Sequence, residues 1–183
     1  MHAYYFDNIP GDQRLPHDSG RPVSEKALRS LGVHNWHIPV DSENWKQRVT
    51  DIAEERQCRK CNDIMGTKEA MGDKFDEKMK TFFTEHMHED QEIAYVQAGS
   101  CYFDVHEHTT DDWIRVHLVA GDMLNLPAGI YHRFTVDTGN SAHVLRLFED
   151  EDKCGIYNRG AETDASSCRL EYLKRFTGVA FGA

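Results

Sequence analysis

The pattern of apolar and polar positions divides the chain into a helical first part and an extended second part. Within the first eighty or so residues, three short segments carry apolar side chains at the three- and four-residue spacing of an amphipathic helix, namely residues 24–32, 45–56 and 73–84. Ser24 is a suitable N-cap for the first of these helices, and Gly32 a suitable stop. The pattern therefore predicts a loop followed by short helices, each with one face that must cover another part of the fold.

From about residue 92 the apolar period changes to two, which is typical of β-strands. Residues 93–96 and 101–105 form two β-prone runs, and Gly99-Ser100 between them predicts a hairpin. Further short strands are predicted at residues 113–119, 123–126, 131–136 and 143–148, and a short closing helix at residues 168–176. Short strands at this spacing predict an antiparallel sandwich or barrel with the N-terminal helices packed outside it.

Composition and charge narrow the class of protein. The 183 residues suit one globular domain, and the sequence has neither an apolar run long enough to span a membrane nor a signal-peptide pattern at its start. The net charge of -10, without a basic cluster, argues against nucleic-acid binding. Five scattered cysteines argue against a disulfide framework and suit a reducing compartment. We therefore expect a cytoplasmic protein that binds neither nucleic acid nor membrane.

A cluster of histidines and a glutamate is the main candidate for chemistry. His86 and His88 are two residues apart, so on an extended chain their imidazoles project from the same face. A straight chain would carry Glu92 about 13 Å beyond His88, too far for a shared coordination shell. The polar residues 89–91 must therefore turn the chain back, with Glu92 opening the next strand. His132 follows a Pro127-x-Gly129 turn that fixes the direction in which its strand begins.

These residues resemble the two motifs of the cupin superfamily. The first motif, H-x-H-x3-E-x6-G, is matched by His86, His88, Glu92 and Gly99, and the second, G-x5-P-x-G-x2-H, by Gly121, Pro127, Gly129 and His132. Two positions depart from the motifs, Lys80 for a glycine and Val136 for an asparagine. The resemblance implies a mainly β fold, a cupin-type antiparallel β-barrel (double-stranded β-helix). It also implies a single cupin domain. Residues 1–84 are expected to form helical N-terminal decoration, residues 85–150 the metal-binding barrel core, and residues 151–183 a C-terminal closing segment.

Within the cupins, the chain resembles the acireductone dioxygenases of the methionine salvage pathway over most of its length. The matching segments are Ala3-Tyr4-Tyr5, Pro10-Gly11-Asp12, Gly20-Arg21-Pro22-Val23, Leu31-Gly32-Val33, Tyr102-Phe103-Asp104-Val105, Trp113-Ile114-Arg115, residues 126–135 and Arg146-Leu147-Phe148. The resemblance implies that His86, His88, Glu92 and His132 hold one Fe²⁺ or Ni²⁺ ion per chain. It also implies a monomer, located in the cytoplasm and also in the nucleus.

The activity implied by the resemblance is the cleavage of an enediol, 1,2-dihydroxy-3-keto-5-methylthiopentene, by O₂. The iron form gives formate and 4-methylthio-2-oxobutanoate, whereas the nickel form gives formate, carbon monoxide and 3-methylthiopropanoate. Arg146 resembles an arginine that orients the anionic substrate, and Phe82 and Phe134 resemble the aromatic residues that shape the pocket. The sequence does not identify a general base.

One departure from the family leaves an alternative function open. Where the family usually has an arginine two residues after the glutamate, this chain has Ala94. The alternative is a metal-binding cupin with weak or no dioxygenase activity that acts as an interaction or regulatory protein. An enzyme with the same four ligands and another substrate is a third option.

Three other motifs are interpreted as structural. His106-Glu107-His108 imitates the ligand pair but lacks a following glutamate, so an exposed hairpin tip is predicted there. Cys58 and Cys61 have the spacing of a zinc or redox pair, but no second pair follows nearby. The acidic residues 149–152 are interpreted as a solvated turn.

Overall fold

The computed structural model describes residues 1–150 and 155–178. Its strands are β1 (His2–Phe6), β2 (Asp18–Pro22), β3 (His34–His37), β4 (Lys60–Thr67), β5 (His86–Met87), β6 (Glu92–Glu107), β7 (Asp112–Val119), β8 (Asp122–Leu126), β9 (His132–Val136), β10 (Ser141–Phe148) and β11 (Tyr157–Asn158). Its α-helices are α1 (Glu25–Ser30), α2 (Trp45–Glu55), α3 (Lys68–Met71), α4 (Phe75–Phe83), α5 (Ala161–Asp164) and α6 (Ser167–Phe176). The strands pair antiparallel, so the predicted mainly β cupin-type fold is confirmed.

The long strand β6 connects the two sides of the fold. Its first half pairs with β8 and β10, and its second half pairs with β7 and β9. The predicted hairpin at Gly99-Ser100 is therefore wrong, because Gly99 bends a continuous strand instead of reversing it. Gly99 has a φ of +73°, and an added Cβ would overlap the Ser141 carbonyl on β10. Glycine adopts this conformation without strain, and only glycine permits this close approach.

The predicted amphipathic helices are present and cover the barrel. Ser24 caps α1, since its side chain accepts a hydrogen bond from the Ala27 N–H at 3.2 Å. Helix α2 packs Val49 against a core cluster that includes Tyr95, whereas α4 packs Phe75 against the main cluster inside the barrel. The closing helix predicted at residues 168–176 is α6. Among the described residues, we find no helix with the length and apolarity that crossing a lipid bilayer requires.

The interpretation of residues 1–84 as helical decoration is incomplete, because four strands lie there as well. β1 pairs with β7, β2 with β1, β3 with β8 and β4 with β10, so each extends a sheet. The alternation of apolar and polar residues is weak in β2, β3 and β4, whose sequences are DSGRP, HNWH and KCNDIMGT. Their extended conformation depends on hydrogen bonds to strands that are distant in the sequence, which a local pattern does not reveal.

Replacement of Gly99 by alanine is expected to destabilise the protein by about 2 kcal/mol or more, because alanine is strained at this φ and its Cβ overlaps the Ser141 carbonyl. Urea denaturation of the variant measures the loss. Gly160→Ala is the matched control, since Gly160 has an extended backbone with no atom within 4 Å of an added Cβ. Equal stability of Gly99→Ala and the unmodified chain would contradict this account of the bend.

Candidate metal centre

The first two candidate ligands lie where the chain enters the barrel. His86 is in β5, His88 follows it directly, and residues 89–91 bend the chain so that Glu92 begins β6. The return of the chain at this point is as the sequence predicted. His132 begins β9 and lies directly opposite His86 in the pairing of β5 with β9. The structure thus brings together four residues from three segments of the chain.

The four side chains converge in a buried space. One ring nitrogen from each of His86, His88 and His132 lies within 4.8 Å of the others. Glu92 Oε2 lies 3.3 Å from His88 Nε2 and 3.5 Å from His132 Nε2. All four residues are almost fully buried. The three imidazoles could therefore hold one small ion, and the Glu92 carboxylate lies beside two of them.

Backbone carbonyls orient all three imidazoles. The Nδ1 atoms lie 2.6 Å from the Thr84 oxygen for His86, 2.8 Å from the Gly155 oxygen for His88, and 3.1 Å from the Ile130 oxygen for His132. A carbonyl oxygen only accepts hydrogen bonds, so each Nδ1 carries the proton and donates it. Each Nε2 of a neutral ring then has a free lone pair, which is the arrangement of histidines that bind metal ions.

Three of the polar atoms facing the centre have no hydrogen bond among the described residues. His88 Nε2 and both carboxylate oxygens of Glu92 are buried without a hydrogen bond. Buried polar atoms in native proteins nearly always have a partner, and an unpaired buried carboxylate is costly. Three imidazoles and one carboxylate are typical donors for a divalent transition metal. The residues present therefore fit a bound metal ion.

The electrostatics of the centre favour the neutral forms of His86 and His132 and the ionised form of Glu92. Burial lowers the pKa of His86 to about 4 and that of His132 well below its ordinary value. Burial alone would raise the pKa of Glu92, but Arg146 and the neighbouring histidines hold it far below its usual range. Neutral imidazoles and an ionised carboxylate are the forms in which these side chains bind metal ions.

The predicted substrate residues line a cavity next to the candidate ligands. Arg146 Nη1 lies 3.5 Å from Glu92 Oε1, and the Phe82 and Phe134 rings meet edge to face with centroids 6.0 Å apart. The cavity, about 20 Å³ in volume, is lined by Ile64, Phe82, His86, Glu92, Phe103, His132, Phe134, Val144, Arg146 and Ile156. It combines one cation with several apolar side chains.

Ala94 lies on the strand that begins with Glu92, opposite Arg146, which lines this cavity. It is fully buried in the main core cluster and pairs directly with Arg146 across β6 and β10. Because side chains two residues apart share one face of a strand, Ala94 lies on the same face as Glu92. An arginine at this position would stand beside Arg146 and would have to displace part of the core.

The structure corrects the interpretation of one of the three motifs that were interpreted as structural, and leaves the other two interpretations open. His106 is not part of an exposed hairpin tip: it is buried, its Nε2 lies 2.8 Å from Asp111, and only the turn after it is exposed. Cys58 is buried, and burial raises the pKa of its thiol to about 12. The Cys61 side chain and half of the acidic run, residues 151 and 152, lie outside the described part of the chain.

Asp90 is a structural residue of the centre that the sequence analysis missed. Its buried carboxylate accepts hydrogen bonds from the Glu149 N–H at 2.6 Å and the Asp150 N–H at 2.9 Å. It thereby ties the turn between His88 and Glu92 to the end of β10, the strand that carries Arg146. Its place among the polar residues of that turn was the only sequence signal.

The metal-free protein is expected to lose stability as the pH falls from about 6.5 to 4. Below its ordinary pKa of 6.5, His86 of the unfolded chain binds a proton that the folded chain excludes until about pH 4. The stabilisation is thus fully present above pH 6.5, and His86 alone accounts for a loss of up to about 3 kcal/mol at lower pH.

Urea denaturation of chelator-treated protein across this pH range measures the loss. In His86→Gln, which lacks the titrating ring, the decline should be shallower than in the unmodified chain. An identical decline in both proteins would show that His86 is not its source.

Comparisons with known proteins agree with this fold. The model of the family described as ARD/ARD′ matches residues 2–155. Acireductone dioxygenase 1 of Coprinopsis cinerea is 52% identical over 95% of this chain and 97% of its own length, and acireductone dioxygenase of Phaeosphaeria nodorum is 49% identical over 98% and 99%. A solved structure with a similar fold is the acireductone dioxygenase from Bacillus anthracis with a cadmium ion in its active center. Its TM-score is 0.64 at 18% sequence identity, and the match covers 72% of this chain and 86% of that chain.

Proposed function

The chain belongs to the ARD/ARD′ family, and from this premise we propose that it is an acireductone dioxygenase of methionine salvage. The single observation that carries the proposal is the set of buried donor atoms without a hydrogen bond at His88 and Glu92, in a chain about half identical to proteins of that name. A carboxylate without a hydrogen bond, next to oriented imidazoles, offers the free donor atoms that a metal-dependent dioxygenase requires.

We propose that His86, His88, Glu92 and His132 hold one Fe²⁺ or Ni²⁺ ion. Three neutral imidazoles and one carboxylate would leave a net single positive charge on a divalent ion, and an ion that takes six ligands would have room for two more. The intrinsic affinity order favours Ni²⁺ over Fe²⁺ at such a site, so the supply of metal in the cell decides which ion is bound.

The proposed substrate is 1,2-dihydroxy-3-keto-5-methylthiopentene, which is cleaved by O₂. When bound, the ion supplies a Lewis-acid centre that brings the enediol oxygens and dioxygen together. The expected products are formate and 4-methylthio-2-oxobutanoate with iron, or formate, carbon monoxide and 3-methylthiopropanoate with nickel.

The protein residues proposed to bind the substrate are Arg146, Phe82 and Phe134. The guanidinium of Arg146 is the cation of the cavity and neutralises the enediolate while donating hydrogen bonds to it. The two phenylalanine rings form part of an apolar wall suited to the methylthio end of the substrate. Together they give the cavity a cation and apolar lining, the two kinds of group that an anionic substrate with an apolar tail requires.

Oxygen uptake tests the proposal. The protein is stripped with a chelator, reloaded anaerobically with Fe²⁺ and mixed with authentic substrate in an oxygen electrode. We expect uptake with formate release for the iron form and carbon monoxide release for the nickel form. Uptake no greater than that of the metal-free protein would refute the proposed activity and leave an enzyme with a different substrate, and products other than these would refute the proposed cleavage.

The alternative of an inactive interaction protein, raised by Ala94, is not favoured. The similar curated proteins match this chain over nearly their whole length, and they are named for the dioxygenase activity. We further propose that the protein is a monomer and a single cupin domain. It acts in the cytoplasm and also in the nucleus, on its small enediol substrate and O₂, without binding nucleic acid. These last points are supported by the family resemblance and the negative net charge.

A further inference from the structure

The segment after β10 contacts two of the candidate ligands from outside the barrel. β11 pairs with β5, and Asn158 lies opposite His86. The Gly155 carbonyl accepts the hydrogen bond from His88 Nδ1. Most of this segment lies beyond residues 2–155, the part matched by the family model. The environment of the centre therefore extends into a part of the chain that contains none of the four candidate ligands.

Helix α6 in this segment carries an almost completely buried arginine, Arg169. Its Nη1 donates a hydrogen bond to the Gly129 carbonyl at 2.8 Å, and its Cζ lies 4.3 Å from the centroid of the Tyr131 ring and 5.2 Å from that of Tyr172. In the described part of the chain, no carboxylate forms a salt bridge with it. A buried cation is costly, so its contacts with one carbonyl and two rings must compensate for its burial.

The loop that Arg169 contacts forms hydrogen bonds with two of the candidate ligands, His88 and His132. The Gly129 N–H donates to the His88 carbonyl at 3.0 Å, and the next carbonyl, that of Ile130, accepts from His132 Nδ1. Gly129 has a φ of +79°, and an added Cβ would lie 2.7 Å from the Cys168 carbonyl on α6. The loop is thus pressed against α6, and Arg169 holds the Gly129 carbonyl from that side.

We propose that Arg169 is a positioning residue of the metal centre, because it holds the Gly129–Tyr131 loop in the place where that loop aligns His88 and His132. The inference depends on the proposed metal centre and extends it to a side chain that touches neither metal nor substrate. Residues that orient metal ligands from outside the coordination shell commonly affect metal affinity by about 10- to 100-fold.

The test is a titration of the chelator-treated full chain with Co²⁺, a coloured divalent probe whose visible absorption reports binding. The titration is done at a temperature at which circular dichroism shows every variant to be folded. We expect Arg169→Met to bind Co²⁺ about 10- to 100-fold more weakly, with a shifted spectrum. Arg169→Lys, which retains the charge and a donor, should recover part of the affinity. Arg175→Met, an exposed arginine on the same helix, is the matched control and should bind as the unmodified chain does.

The outcomes separate this inference from the proposed function. If the unmodified chain binds no Co²⁺, both the metal centre and the role of Arg169 are refuted. If it binds one equivalent and Arg169→Met binds equally tightly with the same spectrum, only the role of Arg169 is refuted, even where the variant melts at a lower temperature. If Arg169→Met does not fold, Arg169→Lys decides the matter, because affinity within twofold of the unmodified chain overturns the proposal.

Discussion

Replacement of His88 by alanine is expected to lower the metal content from about one transition-metal ion per chain to less than about 0.1, and to remove oxygen uptake with it. The reason is that His88 supplies one of only four donor side chains, with an Nε2 that has no hydrogen-bond partner among the described residues. Loss of a direct ligand should weaken metal binding by more than the roughly 10- to 100-fold that is typical when a residue outside the coordination shell is replaced. Elemental analysis of protein purified without chelators measures the effect.

A surface histidine provides the control for this experiment. His2 is exposed, so His2→Ala should retain its full metal content. Circular dichroism at the assay temperature shows whether the His88→Ala chain is folded. A folded His88→Ala protein that retains one equivalent of metal would remove His88 from the ligand set and would contradict the geometry from which the proposed function was derived.

Replacement of Arg146 by methionine is expected to lower kcat/KM by about 10- to 150-fold while the protein still binds metal. The guanidinium lies in the cavity 3.5 Å from Glu92 Oε1, where a charge-assisted hydrogen bond to an anionic substrate contributes about 1.5 to 3 kcal/mol. Arg146→Lys retains the charge but not the planar fork, so an intermediate loss is expected. Steady-state oxygen uptake of the metal-loaded variants measures both effects.

A purely structural role for Arg146 makes a different prediction. Because Arg146 helps to hold the pKa of Glu92 low, Arg146→Met should also bind metal less well in acid than the unmodified chain. If the loaded variant has an unchanged kcat/KM and only this weaker binding in acid, Arg146 serves the ligand and not the substrate. Arg21→Met, a change of an exposed arginine far along the chain, should alter neither quantity.

The local pattern predicted much of the fold and the return of the chain at the candidate centre. Helical spacing identified α1, α2 and α4, a short closing helix was predicted where α6 lies, and the period of two identified β7 to β10. The spacing of His86 and His88, together with the distance to Glu92, required the bend at residues 89–91 that the structure has. Each of these predictions depends on residues that are close in sequence, where side-chain spacing and chain length are sufficient.

The errors concern interactions between distant residues. The bend at Gly99 was predicted as a hairpin because a glycine and a serine between two β-prone runs are equally compatible with a turn and with a continuous strand. Only the partners decide: β8 and β10 on one half of β6, and β7 and β9 on the other. The strands of the first eighty residues and the burial of His106 were missed for the same reason.

By itself, then, the sequence determined the types of the main elements, the family, and the four side chains proposed to bind the metal, because motif spacing and periodicity are written in local order. The tertiary structure decided which strands pair, and it placed the carbonyls of Thr84, Gly155 and Ile130 against the three imidazoles. It also buried Arg169 against Gly129. Every residue has a carbonyl, so no sequence pattern marks the ones that orient a ligand, and only the folded chain selects them.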